Sequence, residues 1–263
     1  MTRWAAILLA ACEANATPQP APQPQLPDCV PRRTGEITAD TLPIALGATL
    51  DYYNDTNKTV DLAAKAGVFD LAQQFPDDPV VAIGPVALGA QWYAASFPAG
   101  QFTVDAGAGL DGIYHQDDQA LWLDGTASQQ NTAGKTLIVY PAPLPVLRFP
   151  LADGQTWTAT GTLGAGTTID GLPFLGSDQL AVDVELGEQL EVPYVDFSPV
   201  LRVRTLATRT PSTGSPVVTK RTTIFVFECF GEVARAESNP NEPDADFTNA
   251  AVLRRYALGE EPN

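Results

Sequence analysis

Leu180, Val182, Val184 and Leu186 alternate with Ala181, Asp183 and Glu185. A period of two puts the apolar side chains on one side of an extended segment and leaves the other side wet, which is the signature of a strand. The stretch from Val200 to Thr205 alternates in the same way. Thr219 to Phe230 is rich in β-branched and aromatic residues, with Phe225, Phe227 and Cys229 on one face. Thr136–Tyr140, Gln119–Leu123 and Gln155–Thr158 are further expected strands, and from about Lys58 onward the chain reads as strands and turns. Four Asp-Gly dipeptides, at 111–112, 124–125, 153–154 and 170–171, fall between these runs and are expected to be turns. Ladders should break at Pro141, Pro143 and Pro145, and again at Pro211 and Pro216; the first cluster is also a candidate join between two sheet layers. Helical patterning is weak. Thr248–Tyr256 fits either a short helix capped by Asp246 or Thr248, or a last strand, and strand is slightly favoured. The expected class is all-β: an antiparallel β-sandwich or strongly curved sheet with few or no helices.

Charge limits the partners. Acidic residues outnumber Lys and Arg by 31 to 15, for a net charge of −16. An acidic surface repels nucleic acid and anionic lipid, so nucleic-acid binding is set aside. The acidity fits a surface kept soluble after export.

The first residues carry one basic side chain, Arg3, then an apolar run from Trp4 to Ala11. That run is too short to span a bilayer but suits the core of a signal peptide. It closes on Leu9-Ala10-Ala11-Cys12, which closely resembles the lipobox of bacterial lipoproteins. The resemblance implies cleavage before Cys12 and a diacylglycerol on its thiol, and two or more acyl chains hold a protein at a membrane stably. Glu13 rather than Asp follows the cysteine, which by analogy with enteric bacteria favours the outer membrane. The stretch Thr17–Pro27 is proline-rich and uncharged. It reads as an extended, semi-rigid spacer rather than a ligand for a polyproline-binding partner. The expected organisation is a signal peptide at 1–11, a lipidated cysteine and tether at 12–34, one β domain at 35–258 and a tail at 259–263.

Cysteine parity adds a second expectation. The chain has three cysteines, Cys12, Cys29 and Cys229. If Cys12 carries lipid, one pair remains, and export places it where disulfides form. A Cys29–Cys229 bridge would clamp the end of the tether to a strand near the carboxyl end of the domain. No Cys-x-x-Cys spacing is present, which argues against a zinc or redox site.

The stretches 67–71, 97–98, 147–157, 170–171, 192–194, 200–205 and 228–238 resemble a broad set of secreted all-β bacterial proteins. That resemblance implies an exported β fold and supplies no catalytic residues.

The motifs that could carry chemistry are sparse. His115 is the one histidine; no Gly-x-Ser-x-Gly elbow offers it a serine, and it is read as a hairpin residue. Gly107–Gly112 matches Gly-x-Gly-x-x-Gly, but Ile-Tyr-His-Gln-Asp-Asp follows, which is not the helix that a dinucleotide site needs. Paired carboxylates could serve a glycosidase, yet sequence singles out no pair. No cofactor is expected; calcium is the one metal worth weighing, because Asn54–Asn57 and Asn239–Asp246 read as oxygen-rich loops, with Asp244 and Asp246 slightly ahead, but neither has the EF-hand order and such acidic loops are usually solvated turns. Arg202, Arg204, Arg209, Lys220 and Arg221 are expected as neighbours on one sheet face, paired with Asp183 and Glu185 or else lining a basic groove for an anionic glycan. Trp92, Trp122 and Trp157 could line an acyl-chain cavity, although such residues more often form plain core. The functional expectation is a lipid-anchored, non-catalytic binding or structural domain of the cell envelope, with an envelope protein or glycan as partner. A periplasmic lipid or acyl-chain carrier and a carbohydrate-active enzyme stand as alternatives.

Overall fold

The structure, a computed structural model, describes residues 28–76 and 78–258. Cys12, the lipobox, the proline-rich stretch and the tail lie outside the described residues. Among the described residues the chain forms twenty strands and three single 3-10 turns, with no α-helix. The strands are β1 (Glu36–Ile37), β2 (Leu50–Thr59), β3 (Val68–Asp70), β4 (Val80–Ile83), β5 (Val86–Ala87), β6 (Phe102–Gly107), β7 (Leu110–Gln116), β8 (Ala120–Ser128), β9 (Leu137–Arg148) and β10 (Leu151–Ala152). They continue with β11 (Thr156–Leu163), β12 (Thr168–Ile169), β13 (Leu172–Pro173), β14 (Gly176–Gly187), β15 (Gln189–Val192), β16 (Val195–Phe197), β17 (Val200–Pro211), β18 (Val218–Phe227), β19 (Gly231–Ser238) and β20 (Asn249–Tyr256).

Two large antiparallel sheets face each other. The first has the order β11-β14-β17-β18-β19-β20-β2-β4, and the second β13-β12-β9-β8-β7-β6-β5. Ile138, Tyr140, Leu144 and Leu147 of the second sheet pack on Trp157, Leu180, Val182, Leu201, Val203 and Val226 of the first. The outer side of the first sheet is itself partly covered. A three-stranded sheet, β16-β15-β3, packs Phe69, Leu190 and Phe197 over Phe225, Phe227, Ala234 and Leu253. Strand β18 is therefore buried on both sides: Phe225 and Phe227 point outward, Ile224 and Val226 inward. A strand with no wet face has no reason to alternate, so its sequence is apolar at consecutive positions. The pair β15–β3 is parallel, as expected of strands far apart in the chain and joined by no hairpin.

The registers define two poles. Gly187 opposes Val200 and Leu201 opposes Val226 at one end of the first sheet. Leu163 opposes Gly176, which opposes Pro211, at the other. The amino-terminal segment from Asp28 to Leu42 is strapped across the first of these poles. The Cys29–Cys229 disulfide expected from parity is present, with a sequence separation of 200. The Arg33 backbone N–H donates to the Glu228 carboxylate (2.6 Å) and the Cys229 N–H to the Thr41 carbonyl (2.8 Å). β1 pairs with β10, and the Gln116 side-chain amide of the second sheet donates to the carbonyls of Ala39 and Leu42. The strap thus ties both large sheets together at one pole.

The structure corrects several expectations. β9 runs straight through Pro141, Pro143 and Pro145 and joins no layers at that point. Its ladder with β8 steps from Val139 opposite Gly125 to Leu144 opposite Leu123. Pro141 and Pro143 thus occupy an irregular stretch where no donor is needed, which is how a strand tolerates proline. Two of the four Asp-Gly dipeptides lie inside strands: Gly112 in β7 and Gly125 in β8. These glycines serve close approach rather than turning, since a Cβ on Gly125 would stand 2.0 Å from the Ile138 carbonyl oxygen. The other two dipeptides are turns with positive φ at Asp170, Gly171 and Gly154. Thr248–Tyr256 contributes strand β20, and Asn54–Asn57 lies within β2 rather than in a loop. No helix of the described residues is long and apolar enough to cross a membrane.

Candidate functional site

The covering layer leaves part of the first sheet's outer face open. There, between the free side of β11 and the loop that follows β19, lies a groove of about 510 Å³, within the usual range for ligand sites (roughly 300–1,000 Å³). Period-two alternation places its walls and floor. Thr156 and Thr158 of β11, Ala181 and Asp183 of β14, Arg204 and Leu206 of β17, and Arg221 and Thr223 of β18 line it, with Ala245 on the loop side. The intervening residues Trp157 and Val182 point the other way, into the inter-sheet core.

The charged groups around the groove are already partnered. Arg204 donates from Nε to Asp183 Oδ1 (2.7 Å), and one of its terminal nitrogens lies 3.4 Å from Asp246. The buried Arg202 binds Asp246 (2.8 Å), Glu185 and the Leu62 carbonyl (2.6 Å), and its guanidinium lies over the Phe69 ring. Arg221 donates to the backbone carbonyls of Glu242 (2.9 Å) and Pro243 (2.7 Å). These bonds fix the loop wall to the sheet and occupy donors of the groove's guanidinium groups.

Of the five basic residues expected on one face, only Arg202, Arg204 and Arg221 share it. Arg209 and Lys220 are at odd offsets from them in β17 and β18, so they face the second sheet. Arg209 makes two 2.8 Å bonds to Asp178, which also accepts from the Tyr140 hydroxyl across the sheet interface (2.7 Å). Lys220 begins a ladder of alternating charge. It pairs with Glu237, Glu237 with Arg235 (3.2 Å), Arg235 with Glu232 through two bonds (2.8 and 2.5 Å), and Glu232 with Arg254 (3.7 Å). The hydroxyl of Tyr52 donates to the Glu232 backbone carbonyl (2.7 Å). Tyr114 of the second sheet faces this ladder, and burial pushes its phenol above its ordinary range.

Glu237 gives the ladder a readable pH dependence. Burial acts to raise its pKa, but Arg235 and Lys220 outweigh it and hold the carboxyl below its ordinary value of 4.5. A carboxyl depressed in the folded state contributes stability above its unfolded value, and that contribution is lost as the pH falls through the folded one. Glu237→Gln is therefore expected to unfold at lower urea than the parent at neutral pH. Below pH 4.5 its stability should fall less steeply with pH. Parallel curves for the two proteins would refute the assignment.

The remaining sequence candidates are distributed elsewhere. Asp246 is taken by Arg202 and Arg204, and a guanidinium against a carboxylate competes with any cation for it. Asp244 lies nearby in the exposed loop, where its backbone N–H donates to Glu242 (3.1 Å). Asp55 of the other expected calcium loop is buried in β2 against Arg255. Among the described residues no group of three or more His, Cys, Asp or Glu could hold a metal ion. His115 lies in β7, on the side of the second sheet away from the interface. Its Nδ1 is 2.8 Å from Asp124 and its ring stacks on Trp122. The Gly107–Gly109 stretch is the turn from β6 to β7, with positive φ at all three residues, and a strand follows it.

The ladder and the Arg255 site were not found from sequence, although signals existed. Arg235 and Glu237 are two apart and must share a strand face. Arg254 and Arg255 are adjacent in a strand, so one must point to each side of it.

No protein-family model matches the chain, and no curated protein or solved structure does.

Proposed function

We propose that this is a lipid-anchored protein of the bacterial cell envelope whose β domain works by binding. The observation that carries the reading is the strap from Asp28 to Leu42. It carries the Cys29–Cys229 bridge and is tied to both large sheets. Tension on a membrane tether preceding Asp28 would be delivered to a covalent bond at the end of the long central strand β18, instead of peeling a terminal strand. The lipobox-like Leu9-Ala10-Ala11-Cys12 and the proline-rich spacer supply the anchor and the tether in this reading.

The two alternatives find less support. An acyl-chain carrier needs an apolar hollow, but one half of the space between the sheets is packed with Leu144, Leu151, Leu163 and Leu201. The other half carries the Lys220–Arg254 ladder. A glycosidase needs two carboxylates at liberty to exchange protons, and at the groove Asp183 and Asp246 both accept from Arg204.

The test is expression of the full chain and of Cys12→Ala in a bacterial host, followed by detergent phase partition and intact mass. The parent is expected in the detergent phase with the mass of the acylated mature chain, and the variant in the aqueous phase. An unacylated parent, or a variant that partitions like it, would remove the anchor.

A further inference from the structure

We infer that the outer groove of the first sheet is a binding site for a neutral polysaccharide chain, which lies across β11, β14, β17 and β18. The inference deepens the binding-module reading by naming a ligand class, and its test does not depend on the anchor.

The groove is amphipathic on the scale of a sugar ring. Its floor carries Ala181 and Leu206, side by side in the β14–β17 register. Around that apolar strip stand the exposed hydroxyls of Thr156 and Thr158 and the Asp183–Arg204 pair. A pyranose presents a C–H face and a rim of hydroxyls, and each finds its counterpart here. The surface continues beyond the groove towards the pole opposite the disulfide. Thr160, Gln179, Thr208 and Thr219 form one cross-strand row, and Thr162, Ser177 and Thr210 form the next. These residues have the same parity as Thr158, Ala181 and Leu206, so they share the outer face. Neither row contains a charged side chain. Rows two residues apart along a strand are separated by about 6.8 Å and strands by about 4.8 Å, so the four rows from Thr156 to Thr162 make a strip roughly 20 Å long. A strip of that length with repeated hydroxyl and amide groups suits several residues of a polymer better than one small molecule.

Charge selects among polymers. Arg204 is balanced by Asp183 and Asp246, and Arg221 is committed to two backbone carbonyls. The guanidinium donors are thus spent on the protein itself, and the chain's net charge of −16 repels an anionic glycan. A peptide strand would pair along the free edge of β11, beside the groove, and would leave the floor of Ala181 and Leu206 unfilled.

The experiment is affinity electrophoresis of the full chain, with Cys12→Ala to keep it in solution, through native gels containing dextran, laminarin or galactomannan. Alginate gels serve as the anionic comparison. The expected result is retardation in at least one neutral gel that persists in high salt, with none in alginate. Ala181→Trp, which fills the floor, should abolish the retardation. Should that variant fail to fold, Gln179→Ala with Thr208→Ala, both on the sheet surface, should weaken retention several-fold with an unchanged melting temperature. Retardation confined to alginate, no retardation in any neutral gel, or retention indifferent to folded groove variants would each overturn the assignment. None of these outcomes bears on membrane partition, so the anchored-module reading stands or falls separately.

Discussion

Replacing Cys29 and Cys229 together by serine is expected to cost about 5 kcal/mol of unfolding free energy on the chain-entropy account of a loop this long. The bridge spans 200 residues, nearly the whole described chain, so its loss releases a large loop-closure restraint from the unfolded ensemble. The folded state loses little else directly. The Arg33 N–H to Glu228 and Cys229 N–H to Thr41 bonds remain available, and each net hydrogen bond is worth about 1 kcal/mol. Those bonds should keep the strap in place only while the rest of the sandwich is folded. Urea unfolding of the parent and the double variant measures the difference directly. A loss under about 1 kcal/mol would mean that the unfolded chain is already compact at this pair. Single serine variants should be as destabilised as the double one, since either change breaks the bridge.

A second large effect is expected at Arg255, whose side chain has no solvent exposure. It lies on the outer side of β20, under the segment between β3 and β4. One terminal nitrogen lies 2.9 Å from Asp55 and 3.0 Å from Asp78. The other donates to the carbonyls of Leu71 (3.3 Å) and Gln73, and the guanidinium lies over the Phe75 ring. Arg255 thus binds two carboxylates and two carbonyls, and pins the covering segment to the sheet; Lys58 adds a second cation at Asp55 (3.3 Å). Arg255→Met keeps most of the volume and removes the charge, leaving the carboxylates of Asp55 and Asp78 in a buried place with Lys58 as the cation that remains. Removing one partner of a buried ion pair typically costs about 3–5 kcal/mol, and that range is expected here. Burial, then hydrogen bonding and repulsion from Asp78, already hold the Asp55 carboxyl above its ordinary value, with Arg255 opposing them. Without Arg255 the carboxyl rises further. A carboxyl raised in the folded state favours folding as it takes up a proton, so the deficit of the variant should shrink as the pH is lowered from neutral towards the range where Asp55 protonates. A second change, Asp55→Asn, should recover part of the loss at neutral pH. A pH-independent deficit, or no rescue, would show that Arg255 acts through packing alone.

The sequence by itself determined the all-β class, and it did so where strands have one wet side. Leu180–Leu186 lies in β14 with Leu180, Val182 and Val184 buried between the sheets, because alternation is a direct record of a two-sided environment. The Cys29–Cys229 bridge was legible as one of the three pairings that three cysteines allow, picked out by the expectation that Cys12 carries lipid. That some of the arginines meet Asp183 and Glu185 was legible from the alternation, but the register decided which does: Arg202 meets Glu185 and Arg204 meets Asp183.

Tertiary structure decided the rest. Whether an Asp-Gly pair turns the chain or admits a neighbour depends on what stands opposite it, and at Gly125 the Ile138 carbonyl does. Whether Asn54–Asn57 is a loop depends on β20 pairing along β2. The groove could not be read from the chain, because its residues come from four strands whose order is a global property and its opening exists only where the covering layer stops. The charge ladder was hidden for a related reason: a sequence gives the parity of Arg235 and Glu237, but only the facing sheet determines that their side is enclosed. Local periodicity is a one-dimensional signal and survives in the sequence; register between distant strands and the extent of a second layer are set by packing, and leave no such trace.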